Sequence, residues 1–217
     1  MEIVSINVGR PRLASYNGVT VNTGIYKRPV HKSVRVSDVQ IEGDGQADLS
    51  VHGGPDKAVY AYPHEHYAFW REVLDRDQPF EFGQFGENLT VAHMLEEEIC
   101  IGDIVSVGTV MLQVSQPRTP CAKLGIRMKM PMFPRYFMAS MKCGFYLRVL
   151  QTGDMAPGDA LTLEQRDERP VTVTRMFQLY HNEPNRVAAA REALTATALA
   201  ADWRAEFERR LMTAQSS

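Results

Sequence analysis

Apolar residues recur at every second position in short runs up to about residue 163, and beyond Pro170 they recur at every third or fourth. A period near two builds strands with one buried face and a period near 3.6 builds helices, so the chain must carry a sheet first and a helical unit after it. Val4, Ile6 and Val8 alternate with Ser5 and Asn7 and give the first strand. Tyr16-Asn17-Gly18-Val19-Thr20-Val21 sets an Asn-Gly pair between strand-prone residues, the strongest short-range hairpin signal. Further short strands are predicted at 33–36, 59–62, 104–107, 110–114, 145–150 and 160–163. Gly102-Asp103 and Gly158-Asp159 open two of these with the same turn chemistry. Many short strands, Gly-rich turns and few intervening helices exclude a parallel α/β sheet and predict a barrel or sandwich. One helix interrupts them, with Pro63 at its first position and Tyr67, Trp70 and Leu74 on one face.

After Pro170 three helical stripes follow: Val173, Met176, Phe177 and Tyr180; Val187, Ala190 and Leu194; and Leu199, Trp203, Phe207 and Leu211. Thr172 and Asn185 are N-cap residues for the first two. The predicted fold class is mainly β with appended α: a β-barrel over 1–168 and a small three-helix unit over 169–217 that packs on the barrel and closes an edge.

Composition narrows the function. With 217 residues, 44% of them hydrophobic, the chain can bury a sizeable core. A formal charge of -2 gives no basic stripe to neutralise phosphates, which argues against duplex nucleic acid as a partner and leaves a charged small molecule open. The first eight residues lack the basic start and apolar run of a signal peptide, and no stretch reaches membrane-spanning length, which predicts a cytoplasmic protein. Cys100, Cys121 and Cys143 are an odd set without CxxC spacing, which argues against a disulfide framework, an iron–sulfur centre or a zinc ribbon.

The sharpest local feature is Ser115-Gln116-Pro117-Arg118-Thr119-Pro120-Cys121. Each proline fixes its own φ and pushes the preceding residue to extended geometry, so few paths lead to the cysteine. Arg118 and Lys123 favour thiolate if they lie near the sulfur, and thiolate is the form that attacks substrates and binds metals. The alternative for one cysteine taken alone is a small buried hydrophobe.

Other motifs are weaker alone. His52-Gly53-Gly54-Pro55-Asp56-Lys57 is either a tight turn with a surface lysine or an anion cradle. Gly86-Glu87-Asn88-Leu89-Thr90 is a local turn, or places Asn88 against a ligand. Asp44 and Asp48 read as turn formers, because the segment lacks the oxygen ligands of a calcium loop. His64 and His66 lie two apart on a predicted helix, point about 200° away from each other and cannot share one ion. His31, His93 and His181 are isolated. From Met128 to Met141 five methionines are broken by Pro131 and Pro134; regular structure through the prolines is not expected, and the segment either covers a flat substrate or fills gaps over the barrel.

Taken in order, Gly43-Asp44 with Gln46-Ala47-Asp48, the His52-to-Tyr60 segment, Gly86-Glu87-Asn88-Leu89, the Ser115-to-Cys121 segment and Phe145-Tyr146-Leu147-Arg148-Val149-Leu150 resemble the MOSC domain, named for the carboxyl-terminal domain of molybdenum cofactor sulfurase. The similarity covers nearly the whole chain and is nearest to the YiiM-like subgroup, in which a MOSC β-barrel precedes a three-helix domain. It implies a molybdenum cofactor (molybdopterin) whose metal is ligated by one protein cysteine, here Cys121, which is also the catalytic residue. A thiolate is a soft ligand suited to that metal. Lys57, Arg118 and the Gly53 and Gly54 amides become candidates for the anionic tail of the cofactor, with His52, Asn88 and Thr119 as hydrogen-bond partners near it. Cys100 and Cys143 fall outside the matching motifs.

The resemblance further implies reduction of an N-hydroxylated small molecule, such as a hydroxylaminopurine, to the amine and water. The sequence holds neither cluster-binding cysteines nor a nucleotide-binding glycine fingerprint, so a separate flavin or iron–sulfur protein must supply electrons. Two alternatives stay open: a cofactor carrier or sulfur-transfer protein using Cys121, and a non-catalytic anion-binding module.

Overall fold

The computed structural model describes residues 1–47 and 53–215. Strand β1 (Glu2–Val8) leads into the hairpin of β2 (Arg12–Tyr16) and β3 (Val19–Thr23), where Asn17 (φ 50°) and Gly18 (φ 78°) take the two left-handed positions of a primed turn. Then come β4 (Arg28–Val30), β5 (Val34–Val36), a 3-10 turn at Pro55–Lys57, β6 (Val59–Pro63), α1 (Glu65–Val73) and β7 (Leu89–Ala92). After β8 (Ile104–Val107) and β9 (Val110–Pro117), two short helices, α2 (Ala122–Met128) and α3 (Phe133–Ser140), precede β10 (Phe145–Gln151), β11 (Gly153–Met155) and β12 (Thr162–Gln165). The chain closes with α4 (Val173–His181), α5 (Arg186–Ala193) and α6 (Ala201–Gln215).

The main sheet runs β12-β8-β9-β10-β6-β7-β1-β4, antiparallel except for the β6–β7 pair, whose crossover contains α1. It curls until the residues before β12 meet β1: Ile3 N donates to the Asp159 carbonyl at 3.0 Å and Gly158 N to the Ile3 carbonyl at 2.7 Å. The result is a large curled sheet, a half-barrel, with a helical appendage, the mainly β with appended α class expected. No helix among the described residues is long and apolar enough to cross a membrane.

Two cores result. Inside the curl, Ile6, Val36, Val59, Leu89, Leu112 and Phe145 are buried, and Met176, Trp203 and Phe207 of the helical unit join them. Outside it, α1 and α3 enclose an aromatic cluster in which Trp70, Phe85, Phe133 and Phe137 are almost fully buried. Removing such a side chain typically costs about 3–5 kcal/mol.

Four expectations need correction. Pro63 ends β6 in register with Val91 instead of starting the helix, because β6 is buried throughout and a ladder end tolerates the missing N–H; His64 occupies the N-cap of α1. The last predicted strand begins at Thr162, and Ala160 only bridges to Glu2. The Met-rich segment does form a helix: Pro134 falls in the first turn of α3, where its missing N–H is no loss, and the helix ends at Met141 with φ 57°. Its Phe133 and Phe137 face the aromatic core while Met128, Met138 and Met141 pack against it, so the segment fills gaps there. Both predicted caps form: the Thr172 hydroxyl accepts from Arg175 N at 3.1 Å and the Asn185 amide oxygen from Ala188 N at 3.0 Å. Helix α5 buries Ala189, Ala190 and Ala193 where a stripe through Val187 was expected.

Candidate functional site

Strand β9 is buried from Val114 to Pro117 and continues as an extended segment to Cys121, which has φ -124° and ψ 172° and occupies the N-cap of α2. Arg118 N donates to the Gly144 carbonyl at 3.0 Å, so the segment is held against the start of β10 as well as by its prolines. The Cys121 side chain is part-exposed and lies on the wall of an open cleft.

Arg118 forms the floor. It is 5% exposed, its guanidinium carbon lies 5.0 Å from the centroid of Tyr60 and 5.2 Å from that of Phe137, and its Nη1 has no hydrogen-bond partner among the described residues. A buried guanidinium donor without an acceptor is costly, so this atom is suited to an acceptor entering the cleft. Desolvation by burial pulls its pKa down, but Tyr60, Tyr146 and the Cys121 and Cys143 thiols push it further up, so the net shift is upward and the cation persists. Burial in turn raises both phenols: Tyr60, whose hydroxyl donates to the Cys143 carbonyl at 2.8 Å, and Tyr146, which is hydrogen-bonded to Arg118.

The opposite wall is an ion pair. Lys27 Nζ lies 2.5 Å from both oxygens of Asp44, whose carboxylate also accepts from Gly9 N at 2.9 Å and Asn88 Nδ2 at 2.8 Å. Burial lowers the Lys27 pKa against the upward pull of Asp44. Gly86, with φ 87°, admits the chain here because a Cβ would stand 2.7 Å from Ile25.

The structure gathers most of the residues named from the sequence. Cys121, Arg118, Lys57, Gly53 and Asn88 all line the cleft. Gly53, with φ 110°, leaves no room for a side chain against Gln46, and Gly54 starts the Pro55–Lys57 turn. Lys57 is engaged by Asp202 of α6 at 2.7 Å. Asn88 supports the wall: its oxygen accepts from Tyr60 N at 3.1 Å and its nitrogen donates to Asp44 and to the Asn7 carbonyl. Thr119 is exposed, is not part of the cleft wall, and has its hydroxyl 3.4 Å from His181 Nε2. His52, like Asp48, lies outside the described residues. Asp44 is more than the turn former expected, being the buried counter-ion of Lys27.

Sequence reading missed Lys27, Tyr60 and Tyr146 as wall residues. Tyr60 and Tyr146 carried a signal, since both stand inside quoted motifs. Lys27 carried none, because its partner is 17 residues away. Cys143 and Cys100 are buried in packing, and burial pushes the Cys143 thiol up to about 12.

A MOSC domain model matches residues 48–162, and a YiiM-like 3-alpha helix domain model matches residues 171–214. The chain belongs to the MOSC domain family. Its relatives in that family include the uncharacterized protein YflK of Bacillus subtilis, 42% identical, with 94% of this chain and 92% of YflK covered. The crystal structure of YiiM from Geobacillus stearothermophilus superposes with a TM-score of 0.82 at 38% identity, covering 97% of this chain and 98% of that one. A protein of Gibberella moniliformis named a reductase is 36% identical over 76% of this chain, which spans 29% of that protein's length.

Proposed function

We propose that the cleft holds a molybdenum cofactor through the Cys121 thiolate, and that the protein reduces N-hydroxylated compounds, such as hydroxylaminopurines, with electrons from a separate reductase. The observation that carries this reading is the pairing of a part-exposed thiol with a buried arginine whose Nη1 has no acceptor among the described residues. A soft sulfur donor beside a desolvated cation fits a group that is both a soft-metal centre and an anion. Membership of the MOSC family and the reductase name of one relative support it.

The chain's own residues divide the work. Cys121 supplies the metal ligand, held in place by two prolines and the Arg118 to Gly144 hydrogen bond. Arg118 binds negative charge; the Lys27–Asp44 pair and Asn88 fix the far wall. Tyr60 and Tyr146, their pKa values raised by burial, remain neutral phenols that brace Arg118 and do not compete for its charge. When bound, the cofactor supplies the two-electron couple for R–NHOH + 2 e⁻ + 2 H⁺ → R–NH₂ + H₂O. The protein orients the substrate in the cleft and limits water around it.

The test is metal analysis and oxidised-pterin fluorescence on freshly isolated protein, followed by turnover of a hydroxylaminopurine with reduced viologen. Molybdenum, pterin and amine formation together support the reductase. Cofactor without turnover indicates a carrier, and protein that contains neither metal nor pterin indicates an anion-binding module.

A further inference from the structure

Between Asp103 and Asp154 the chain contains seven Lys and Arg and not one Asp or Glu. With -2 for the whole chain, that stretch carries +7 and the remainder -9, so the bulk charge conceals a strong asymmetry. This corrects the inference from net charge that there is no basic surface. Arg118 is spent in the cleft, Arg148 pairs with Asp56 at 2.8 Å, and Lys142 lies over the Phe69 ring. Lys123, like Arg118, lines the cleft, and Arg127, Lys129 and Arg135 remain, all on or beside α2 and α3.

The hairpin extends this face. The Tyr16 hydroxyl donates to the Lys129 carbonyl at 2.7 Å, tying the hairpin to the end of α2, and Arg12 and Arg127 share the Tyr26 ring at 4.0 and 5.0 Å. Among the described residues Arg12, Arg127, Lys129 and Arg135 pair with no carboxylate. On α3 the exposed Met132 and Tyr136 stand one turn apart beside Arg135. Exposed apolar side chains among uncompensated cations describe a small recognition surface. Cys121 occupies the N-cap of α2, so this helix leads from the sulfur to Lys129 at its far end over about 10 Å, since seven helical residues rise about 1.5 Å each.

We infer that this α2–α3 and hairpin face is the docking surface for the electron donor, an acidic flavin or iron–sulfur protein. The inference rests on the reductase reading, which requires a donor. Charge complementarity supplies the choice of partner: four cations without a salt bridge among the described residues attract an acidic protein, while the -9 on the rest of the chain repels a polyanion long enough to wrap around it, nucleic acid included. Electron-transfer complexes are small, and a face of a few helical turns is enough for one. Two electrons reach the site, from a two-electron flavin or from two one-electron ferredoxins, and the donor leaves oxidised by the same count.

The experiment compares wild type with Lys129→Glu/Arg135→Glu, two exposed residues outside the cleft wall, and with Arg191→Glu on α5 as a remote charge control. Affinity for an acidic plant-type ferredoxin and for an acidic flavodoxin is measured by calorimetry at low and high salt, and turnover with each donor is set against turnover with reduced viologen. The docking face is supported if the double variant binds at least one acidic donor roughly ten-fold more weakly at low salt while viologen turnover is unchanged, the gap closing at high salt and Arg191→Glu behaving as wild type. It is overturned if neither donor binds the wild type, if Arg191→Glu weakens binding equally, or if single-stranded RNA binds the face more tightly than either donor. Binding is read without turnover, so loss of viologen activity in the wild type would sink the reductase reading alone.

Discussion

The ammonium of Lys57, in the Gly-rich turn, lies 2.7 Å from the carboxylate of Asp202 at the start of α6. Around that pair the helical unit is fastened to the site: Ala201 N donates to Asp56 Oδ2 at 2.9 Å and Ala200 N to the Ser115 carbonyl at 3.0 Å. With its amide rotated, Gln116 also bonds both Asp202 and the Trp203 indole. The appended helices therefore back the cysteine-bearing strand directly.

Because Asp202 is half-exposed, its Coulomb attraction to Lys57 is screened. A double-mutant cycle of Lys57→Ala and Asp202→Asn, read by urea denaturation, is expected to give a coupling of about 0.5–1 kcal/mol. A coupling above about 2 kcal/mol would show that the pair is a structural anchor.

Lys27 and Asp44 behave differently, since both are nearly buried. Asp44→Asn leaves the Lys27 ammonium uncompensated and is expected to lose about 3 kcal/mol. Lys27→Met leaves a carboxylate that still accepts from Gly9 and Asn88, so its loss is smaller. Chemical denaturation of the two variants checks the order; the reverse order would contradict this account of the wall.

Features whose cause is local were legible in the sequence. Asn17-Gly18 must turn, Thr172 and Asn185 must cap, and alternation along Ile104–Val107 must pair, because each depends on neighbours within a few residues. Pro134 misled because a proline breaks a helix interior yet is harmless in a first turn, and only packing of Phe133 and Phe137 shows where that turn begins. At the site, Cys121 and Arg118 were legible because each directly follows a proline, Pro120 and Pro117. Lys27 with Asp44, and His181 beside Thr119, were not, since the fold alone brings them together.

The three thiols should react unequally. Burial raises the Cys143 thiol to about 12 and, with Asp103, raises Cys100, so both stay mostly protonated at pH 8. Iodoacetamide at that pH is expected to modify apo protein once, at Cys121, and to reach Cys143 only after unfolding. Peptide mass spectrometry checks the site; equal labelling of Cys143 in folded protein would refute the burial argument.

His181 makes stability depend on pH. Burial, then Arg210 and Arg186, lower its pKa below the ordinary 6.5, so the unfolded chain binds more protons than the folded one in the window below that value. Its contribution is full above about pH 7 and is lost as pH falls through 6.5 toward the folded value. The Tm of wild type should therefore fall more steeply between pH 7 and 5 than that of His181→Gln. Identical slopes would show that this imidazole is not the group responsible.

Cys121→Ser separates chemistry from folding most directly. The wild-type side chain makes no capping hydrogen bond at the start of α2, and serine is a favoured N-cap, so the variant should melt at or above the wild-type temperature. Its oxygen is a poor ligand for a soft metal, so molybdenum measured by mass spectrometry should fall from near one per chain to background, with pterin fluorescence lost and hydroxylaminopurine turnover abolished. Full molybdenum occupancy and wild-type turnover in that stable variant would contradict the assignment of the sulfur.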